Sequence, residues 1–341
     1  MNINLKISIC IPAYNRPKEL VELLESIFQQ SYLPYEVIIC EDNSPMRSDI
    51  SEVVKLYTNN STINLRYIEN EKNLGYDANL RKTISLAEGD YVFLSGNDDL
   101  LAENCLSIVA AKIAKYSPEI IIRSYSSFYK YSDSIRTIHR YVDKDHLVSY
   151  NEEEVAWLFY RSVFVGGLVF RVHPAHLFAS DSVDGTLYYQ NYLLAKIFSL
   201  GRCLYVPEIL VHNRLVDAGD FGSSEIESKG EWVPGQRTIN SSIYQMKMFF
   251  QCSRQLEIDS KILISLRLKK IASAYSYPLL SYHADKPLKD YIKYIKSLAN
   301  LGYGGIFFYL YAFMLKIPGV YMSNKLLTFV RFILGHTKRI V

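Results

Sequence analysis

The sequence predicts an α/β protein: a doubly wound, mostly parallel sheet followed by a C-terminal helical region. Three observations carry this. Over the first 125 residues, apolar runs of strand length alternate four times with segments of helical periodicity, the pattern of βα units with right-handed crossovers. Each of those runs ends in a polar break, so the breaks fall at one edge of the sheet. From Ile239 onward only helical spacing remains.

Leu5, Ile7, Ile9 and Ile11 alternate with Lys6, Ser8 and Cys10 and stop at Pro12, a strand of period two. Pro17 suits a first helical turn, and Leu20, Leu23, Leu24, Ile27 and Phe28 follow at helical spacing. Val37–Cys40 is a second strand, broken at Glu41–Pro45, with Ile50, Val53, Val54 and Tyr57 marking the next helix. Ile63–Ile68 is a third, ending in Glu69–Gly75 before the helix of Leu80, Ile84 and Ala87. Tyr91–Ser95 is the fourth, followed by Leu106, Val109, Ala110 and Ile113, and Ile120–Ile122 opens a fifth. Residues 125–150, rich in Tyr and Ser, read as an irregular acceptor-side or surface loop. Ser149–Phe164 reads as a helix with Glu152, Glu153 and Glu154 in its first turn, where the dipole favours them. Gly166–Arg171 reads as a strand returning to the sheet, Tyr188–Leu200 as a helix, and Cys203–Leu210 as a last strand. Val216–Pro234 fits a flap or a linker. The expected organisation is therefore a catalytic domain over 1–215, a flap or linker over 216–238 and helices over 239–341.

With 341 residues, the chain can bury a sizeable core in one large domain or two ordinary ones. It is 49% hydrophobic and 21% charged, and its formal net charge of +3 is too weakly basic for a general nucleic-acid binder. Cys10, Cys40, Cys105, Cys203 and Cys252 are odd in number, far apart and without zinc-ligand spacing, as befits free thiols in a reducing compartment. Met1–Lys6 is too polar and too short for a signal peptide, which points to the cytosol.

Four polar breaks converge at the carboxyl edge of such a sheet: Pro12–Asn15, Glu41–Ser44, Asn73–Gly75 and Asn97–Asp99. Asp98 and Asp99 supply hard oxygen ligands suited to Mg²⁺ or Mn²⁺, which can in turn hold a diphosphate; in isolation, Asp98 would equally serve as a helix cap. Tyr14 can stack on a base or simply pack, and Glu41 and Asp42 can accept from a base or ribose. The glycine fingerprint of dinucleotide folds is missing after the first strand, and so is the Walker A pattern.

These motifs resemble glycosyltransferase family 2, whose fold is GT-A. Ile9–Arg16 with the helix after it is similar to the family's opening. Val37–Ser44 resembles its apolar strand ending in Asp-Asp-Gly-Ser, Asn73-Leu74-Gly75 its Asn-x-Gly, and Ala87–Tyr91 its Ala-x-Gly-Asp-Tyr. Asn97-Asp98-Asp99 falls at the family's metal-binding Asp-x-Asp(-Asp). The resemblance, over residues 5–125, implies a nucleotide-sugar donor held by Pro12, Tyr14, Asn15, Glu41, Asp42, Asn73, Gly75 and Asn97. It also implies a Mg²⁺ or Mn²⁺ ion on Asp98 and the donor diphosphate, with Asp99 facing the donor sugar or the acceptor.

Two departures stand out. Gly96 occupies the place of the first Asp of Asp-x-Asp, a form that resembles bacterial O-antigen transferases of deoxyhexoses such as abequosyl- and rhamnosyltransferases. Further on, Tyr189-Gln190 stands where the family keeps the acidic pair that supplies the general base. Asp184, Asp181 and His173 are nearby substitutes in sequence, Asp184 first because Gly185 gives its loop freedom to turn inward, and Asp99 remains open. His212 and Arg214, after the last strand, can meet phosphate.

Leu301–Met322 is the most apolar stretch, but Lys316 and Pro318 leave it short of the about 20 apolar residues that span a bilayer. With the aromatic and basic run from Lys325 to Arg339, it suits an interfacial helix on an anionic leaflet, or a helical domain packed on the catalytic one. The interfacial reading agrees with a lipid-linked saccharide acceptor and a peripheral position on the cytoplasmic face of the inner membrane. The expected activity is transfer of a sugar in surface polysaccharide or O-antigen synthesis. The rival readings are a catalytically inactive sugar-nucleotide-binding or scaffold subunit and a nucleotidyltransferase.

Overall fold

The structure is a computed structural model describing residues 5–58, 63–129, 135–215 and 238–333. In chain order, the sheet-forming part runs β1 (Ile7–Ala13), α1 (Pro17–Phe28), β2 (Glu36–Glu41), α2 (Arg47–Thr58), β3 (Asn64–Glu69), α3 (Tyr76–Ser85), β4 (Tyr91–Leu94), β5 (Leu100–Leu101) and α4 (Cys105–Tyr116). It continues with β6 (Ile120–Phe128), β7 (Ile135–His139), β8 (His146–Ser149), α5 (Glu152–Arg161), β9 (Val169–Arg171), α6 (Val172–Leu177), α7 (Tyr189–Phe198) and β10 (Arg202–Arg214). Among the described residues only helices follow: α8 (Ile239–Ser260), α9 (Ser265–Ala274), α10 (Tyr277–Ser281), α11 (Leu288–Leu301), α12 (Gly305–Lys316) and α13 (Gly319–Ile333).

The sheet order is β3-β2-β1-β4-β9-β6-β10-β5, with β7 added to β6 and β8 to β10. Strands β3, β2, β1 and β4 are mutually parallel, and β6 is parallel to β10. The short β9 runs antiparallel between β4 and β6 and joins the two parallel halves. Period-two alternation sorts the side chains into two cores. Ile9, Ile11, Val37, Ile39 and Phe93 pack towards α1, α2 and α4, whereas Cys10, Ile38, Val92 and Leu94 pack towards α3, α5 and α7. The second core continues without a break into Phe249, Phe250, Leu268, Leu280, Leu298 and Phe308 of the C-terminal helices. All five cysteines are free and buried.

Residues 125–150 depart from the sequence reading. Among the described residues of this stretch, most complete β6 and form β7 and β8; residues 130–134 lie outside the description. The stretch Tyr125-Ser126-Ser127-Phe128 hides its strand character because Ser126 and Ser127 are small enough to lie buried in the sheet, with their hydroxyls satisfied by His212 and Asn213 of β10. The cap reading of Asp98 also falls: β5 follows it, and α4 begins only at Cys105, with Asn104 as N-cap. The flap or linker expected over 216–238 lies outside the described residues except for Thr238, which caps α8 in a capping box with Ser241. Lys338 and Arg339 lie outside them as well.

Helices α12 and α13 divide their apolar residues between two surfaces. Phe308, Ala312 and Leu315 are buried, whereas Ile306, Phe307, Phe313, Tyr321 and Phe329 are exposed. Among the described residues no helix is long and apolar enough to cross a membrane.

Candidate active site

The carboxyl ends of β2, β1, β4, β6 and β10 lie at one edge of the sheet, and the polar loops meet there. Pro12 pairs in register with Cys40, and Ala13 with Glu41, which aligns the β1 and β2 loops. After β1 the chain turns through two consecutive left-handed residues, Asn15 (φ 56°) and Arg16 (φ 63°), and enters α1 at Pro17. Asn97 stitches this turn to the β4 loop by donating from Nδ2 to the Asn15 carbonyl at 3.0 Å. Asn15 Oδ1 is itself buried without a hydrogen-bond partner.

The β2 loop is built around Asp42. Its carboxylate accepts from Asn70 Nδ2 (2.8 Å), the Leu74 amide (2.8 Å) and the Gly75 amide (3.1 Å), while Asn73 Oδ1 accepts from the Gly75 amide at 2.8 Å. Asp42 thus shapes Asn73–Gly75 into the turn that opens α3, with Gly75 at φ 84°. Burial raises its pKa and these hydrogen bonds oppose the rise. Glu41 accepts from the Ser44 amide at 2.9 Å through Oε1, but its Oε2 is buried without a partner. Tyr14 lies beside this pair: burial and then the Asp42 and Glu41 charges raise its pKa, against a hydrogen bond to Asn73. The structure therefore brings Pro12, Tyr14, Glu41, Asp42, Asn73 and Gly75 together.

In the β4 loop, the Asp98 carboxylate is ion-paired with the Arg16 guanidinium, and the Asp98 carbonyl accepts from Arg214 Nε at 3.1 Å. Arg214 also pairs with Glu22 of α1. Asp99 is buried in a cradle of glycines. A Cβ added at Gly166 would stand 2.6 Å from Asp99 Oδ2, and one added at Gly96 would stand 2.8 Å from it. This accounts for Gly96 where the related motif has an acid: the Asp99 carboxylate fills the space that side chain would need. Burial raises the pKa of both acids. For Asp99 the neighbouring Asp98 charge adds to burial and lifts it well above the carboxylate range, while for Asp98 the Arg16 and Arg214 charges oppose the rise.

Sequence reasoning missed several residues here. Arg123 is fully buried, and it donates from Nε to the Gly166 carbonyl (2.6 Å) and from Nη2 to the Phe164 carbonyl (2.7 Å), holding the turn that walls Asp99. Its signal was an arginine closing the Ile120–Ile122 run, where a charge is costly unless used. Asp77 accepts from the amides of Leu187 (2.7 Å) and Tyr189 (2.9 Å), so an acid on α3 caps α7. Gln190 is buried and donates to the Val163 carbonyl at 3.1 Å, tying α7 to the end of α5.

The proposed substitutes for the absent base have different surroundings. Asp184 forms an ion pair with Arg81, one helical turn beyond Asp77 on α3. Asp181 is exposed. His173 follows β9, and because β9 is antiparallel its end pairs with Tyr91 at the start of β4, so His173 lies at the opposite edge of the sheet. His212 is turned towards Ser126, with Nδ1 2.6 Å from the hydroxyl oxygen, and burial lowers its pKa.

A divalent cation fits this loop only in part. Among the described residues no three His, Cys, Asp or Glu side chains converge into a protein cage. Asp98 offers hard oxygens at the mouth of the loop, so a Mg²⁺ or Mn²⁺ ion held there would complete its shell from phosphate oxygens and water, as Mg²⁺ commonly does.

Comparison with known proteins agrees with this geometry. Residues 8–173 match the family model described as Glycosyl transferase family 2. The chain is 39% identical over 103 residues to the abequosyltransferase RfbV of Salmonella typhimurium, covering 30% of this chain and 31% of that protein. It is 27% identical over 168 residues to the glycosyltransferase GlyG of Streptococcus pneumoniae, covering 47% and 54%. The matches thus span about a third to about half of these relatives. The crystal structure of Staphylococcus aureus TarS 1-349 superposes with a TM-score of 0.57 at 14% identity over 87% of this chain and 80% of that one, a likeness of fold. From their motifs and the family model, residues 8–173 form a glycosyltransferase family 2 domain, and the sheet they belong to has a GT-A architecture.

Proposed function

We propose that the protein is a glycosyltransferase that moves a sugar from a nucleotide-sugar donor to a saccharide acceptor in surface polysaccharide or O-antigen synthesis. The observation that carries this reading is the Asp98–Asp99 pair at the end of β4, set between the β1 turn and Arg214 within a family 2 domain. TarS has been crystallised with UDP and with UDP-GlcNAc on the same fold, which supports a nucleotide-sugar donor here. Tyr14, Glu41 and the Asn73–Gly75 turn would receive the nucleoside, with Glu41 Oε2 as the acceptor still to be satisfied. Asp98 would hold Mg²⁺ or Mn²⁺, a Lewis acid that neutralises charge developing on the diphosphate leaving group.

Asp99 would face the reacting sugar, and with Gln190 where an acid is expected it is the first candidate to accept the acceptor hydroxyl's proton. Gln190 also favours a second reading, a subunit that binds sugar nucleotides without turnover. A thermal-shift screen of nucleoside diphosphates and their sugars, with and without Mn²⁺, identifies the donor base; formation of a glycosylated product then separates enzyme from binder.

The acceptor is lipid-linked in this reading, and the exposed apolar residues of α12 and α13 would rest on the cytoplasmic leaflet that carries it. Lys325 on α13 adds attraction to anionic lipid. Flotation with anionic liposomes tests this: binding at low salt that weakens at high salt is expected, and a chain that stays at the bottom of the gradient in low salt overturns it.

A further inference from the structure

The Arg16–Asp98 ion pair stands where the cation of the proposed reaction would have to be. We propose that Arg16 is a displaceable counter-ion: it covers Asp98 in the free protein, moves onto the phosphates of an incoming nucleoside diphosphate, and thereby opens Asp98 to the divalent cation. The inference rests on the reading of Asp98 as the cation's ligand.

Three observations support the exchange. The side chains of Arg16 and Asp98 remain 17% and 16% exposed, so a ligand can reach the pair without unfolding the loop. The backbone under Arg16 is anchored while its side chain is long: Asn97 fixes the Asn15 carbonyl at 3.0 Å and Pro17 starts α1, leaving the guanidinium at the helix entrance. The second guanidinium of the loop, Arg214, is held at the Asp98 carbonyl and at Glu22, whereas Arg16 is the one ion-paired with the carboxylate.

A guanidinium can exchange a carboxylate for a phosphate without loss of paired hydrogen-bond geometry. Once it does, the Asp98 carboxylate is uncovered and offers its hard oxygens to a cation whose shell the diphosphate completes. Cation and diphosphate then each favour the other's binding, by the same factor in both directions.

The test measures Mn²⁺ uptake by the full chain, from loss of the free-ion electron paramagnetic resonance signal. It is run alone and with whichever of UDP, CDP, GDP, ADP or dTDP binds best. Wild type should take up Mn²⁺ weakly alone and on the order of tenfold more tightly with the nucleotide, the scale of one charge-assisted hydrogen bond. Arg16→Met, which meets the same backbone demand as arginine at φ 63°, should bind Mn²⁺ alone more tightly than wild type. The same variant should bind the nucleotide in EDTA more weakly, and Asp98→Asn should cancel the gain in cation affinity. Arg16→Lys should move both affinities in the same directions by less, and it carries the test if Arg16→Met does not fold. Nucleotide-dependent uptake in wild type with unchanged or weaker uptake in the Arg16 variants overturns the exchange alone. Absence of uptake in wild type even with nucleotide overturns the cation reading of Asp98 as well, and binding of none of the five nucleotides overturns the donor reading.

Discussion

The carboxyl ends of β2 and β4 flank that of β1 on either side, and each is followed or closed by an adjacent pair of carboxylates, Glu41-Asp42 and Asp98-Asp99, yet the structure uses them in opposite ways. In the β2 loop, Asp42 accepts from one side-chain amide and two backbone amides, so its charge is absorbed by architecture. In the β4 loop, Asp98 meets a guanidinium that is still partly exposed, and Asp99 is pressed against glycines beside a second negative charge. A carboxylate satisfied by fixed amides builds a turn. One balanced by a partly exposed guanidinium stays within reach of a ligand, and the fold bears the electrostatic cost of keeping it so.

Four substitutions sharpen or break that comparison. Asp98→Ala should lower transfer by about 10³-fold or more, the scale of removing a cation's contribution to the leaving group, with an unchanged circular dichroism spectrum; near-normal turnover would assign the site elsewhere. Gly96→Asp, which restores the acid of the related motif, should lower turnover by roughly 10²-fold instead of raising it, because its Cβ would stand 2.8 Å from Asp99 Oδ2. Gains in both cation affinity and rate would show that the cradle yields.

Asp42→Asn should lower stability by about 1–3 kcal/mol, because an amide nitrogen would face the Leu74 or Gly75 N–H and that cost outweighs the relief of no longer burying a charge. Urea unfolding at neutral pH reads this directly, and nucleotide affinity should fall with it as the Asn73–Gly75 turn loosens. Asp99→Asn should have the opposite sign, raising stability by about 1 kcal/mol while abolishing transfer. Its folded-state pKa lies well above the ordinary value, so at neutral pH the ionised side chain opposes folding, and a neutral amide removes that opposition while still accepting from the Arg214 amide. If both asparagine variants shifted stability in the same direction, the contrast between the loops would fail.

Much of the frame was legible because period-two and helical spacings are local. Ile7–Ile11, Val37–Cys40 and Tyr91–Leu94 alternate between two cores, and α1 buries Leu20, Leu23, Leu24 and Ile27 as their spacing requires. The convergence of the β1, β2, β3 and β4 loops was legible too, since in parallel βα units every strand's carboxyl end lies at one edge. β6 beyond Ile122 was not, because buried serines satisfied by a neighbouring strand look like loop residues in isolation. Neither was the reversal of β9, which carries His173 to the far edge and away from any role in the site. The C-terminal helices were divided by the fold: α8 and α9 extend the core against α7 and α5, while α12 and α13 keep exposed apolar residues that composition alone could not assign to either side.

By itself the sequence determined the alternation of strands and helices, the edge at which the loops gather and the carboxylates they bring, because each depends on periodicity or on chain direction. Only the tertiary structure decided what those carboxylates face: Asp42 against amides thirty residues on, Asp98 against Arg16, Asp99 against Gly166, and Asp184 against Arg81. The physical reason is that a carboxylate's role depends on what compensates its charge. In this fold the compensating groups come from other strands and helices, at separations no local pattern encodes.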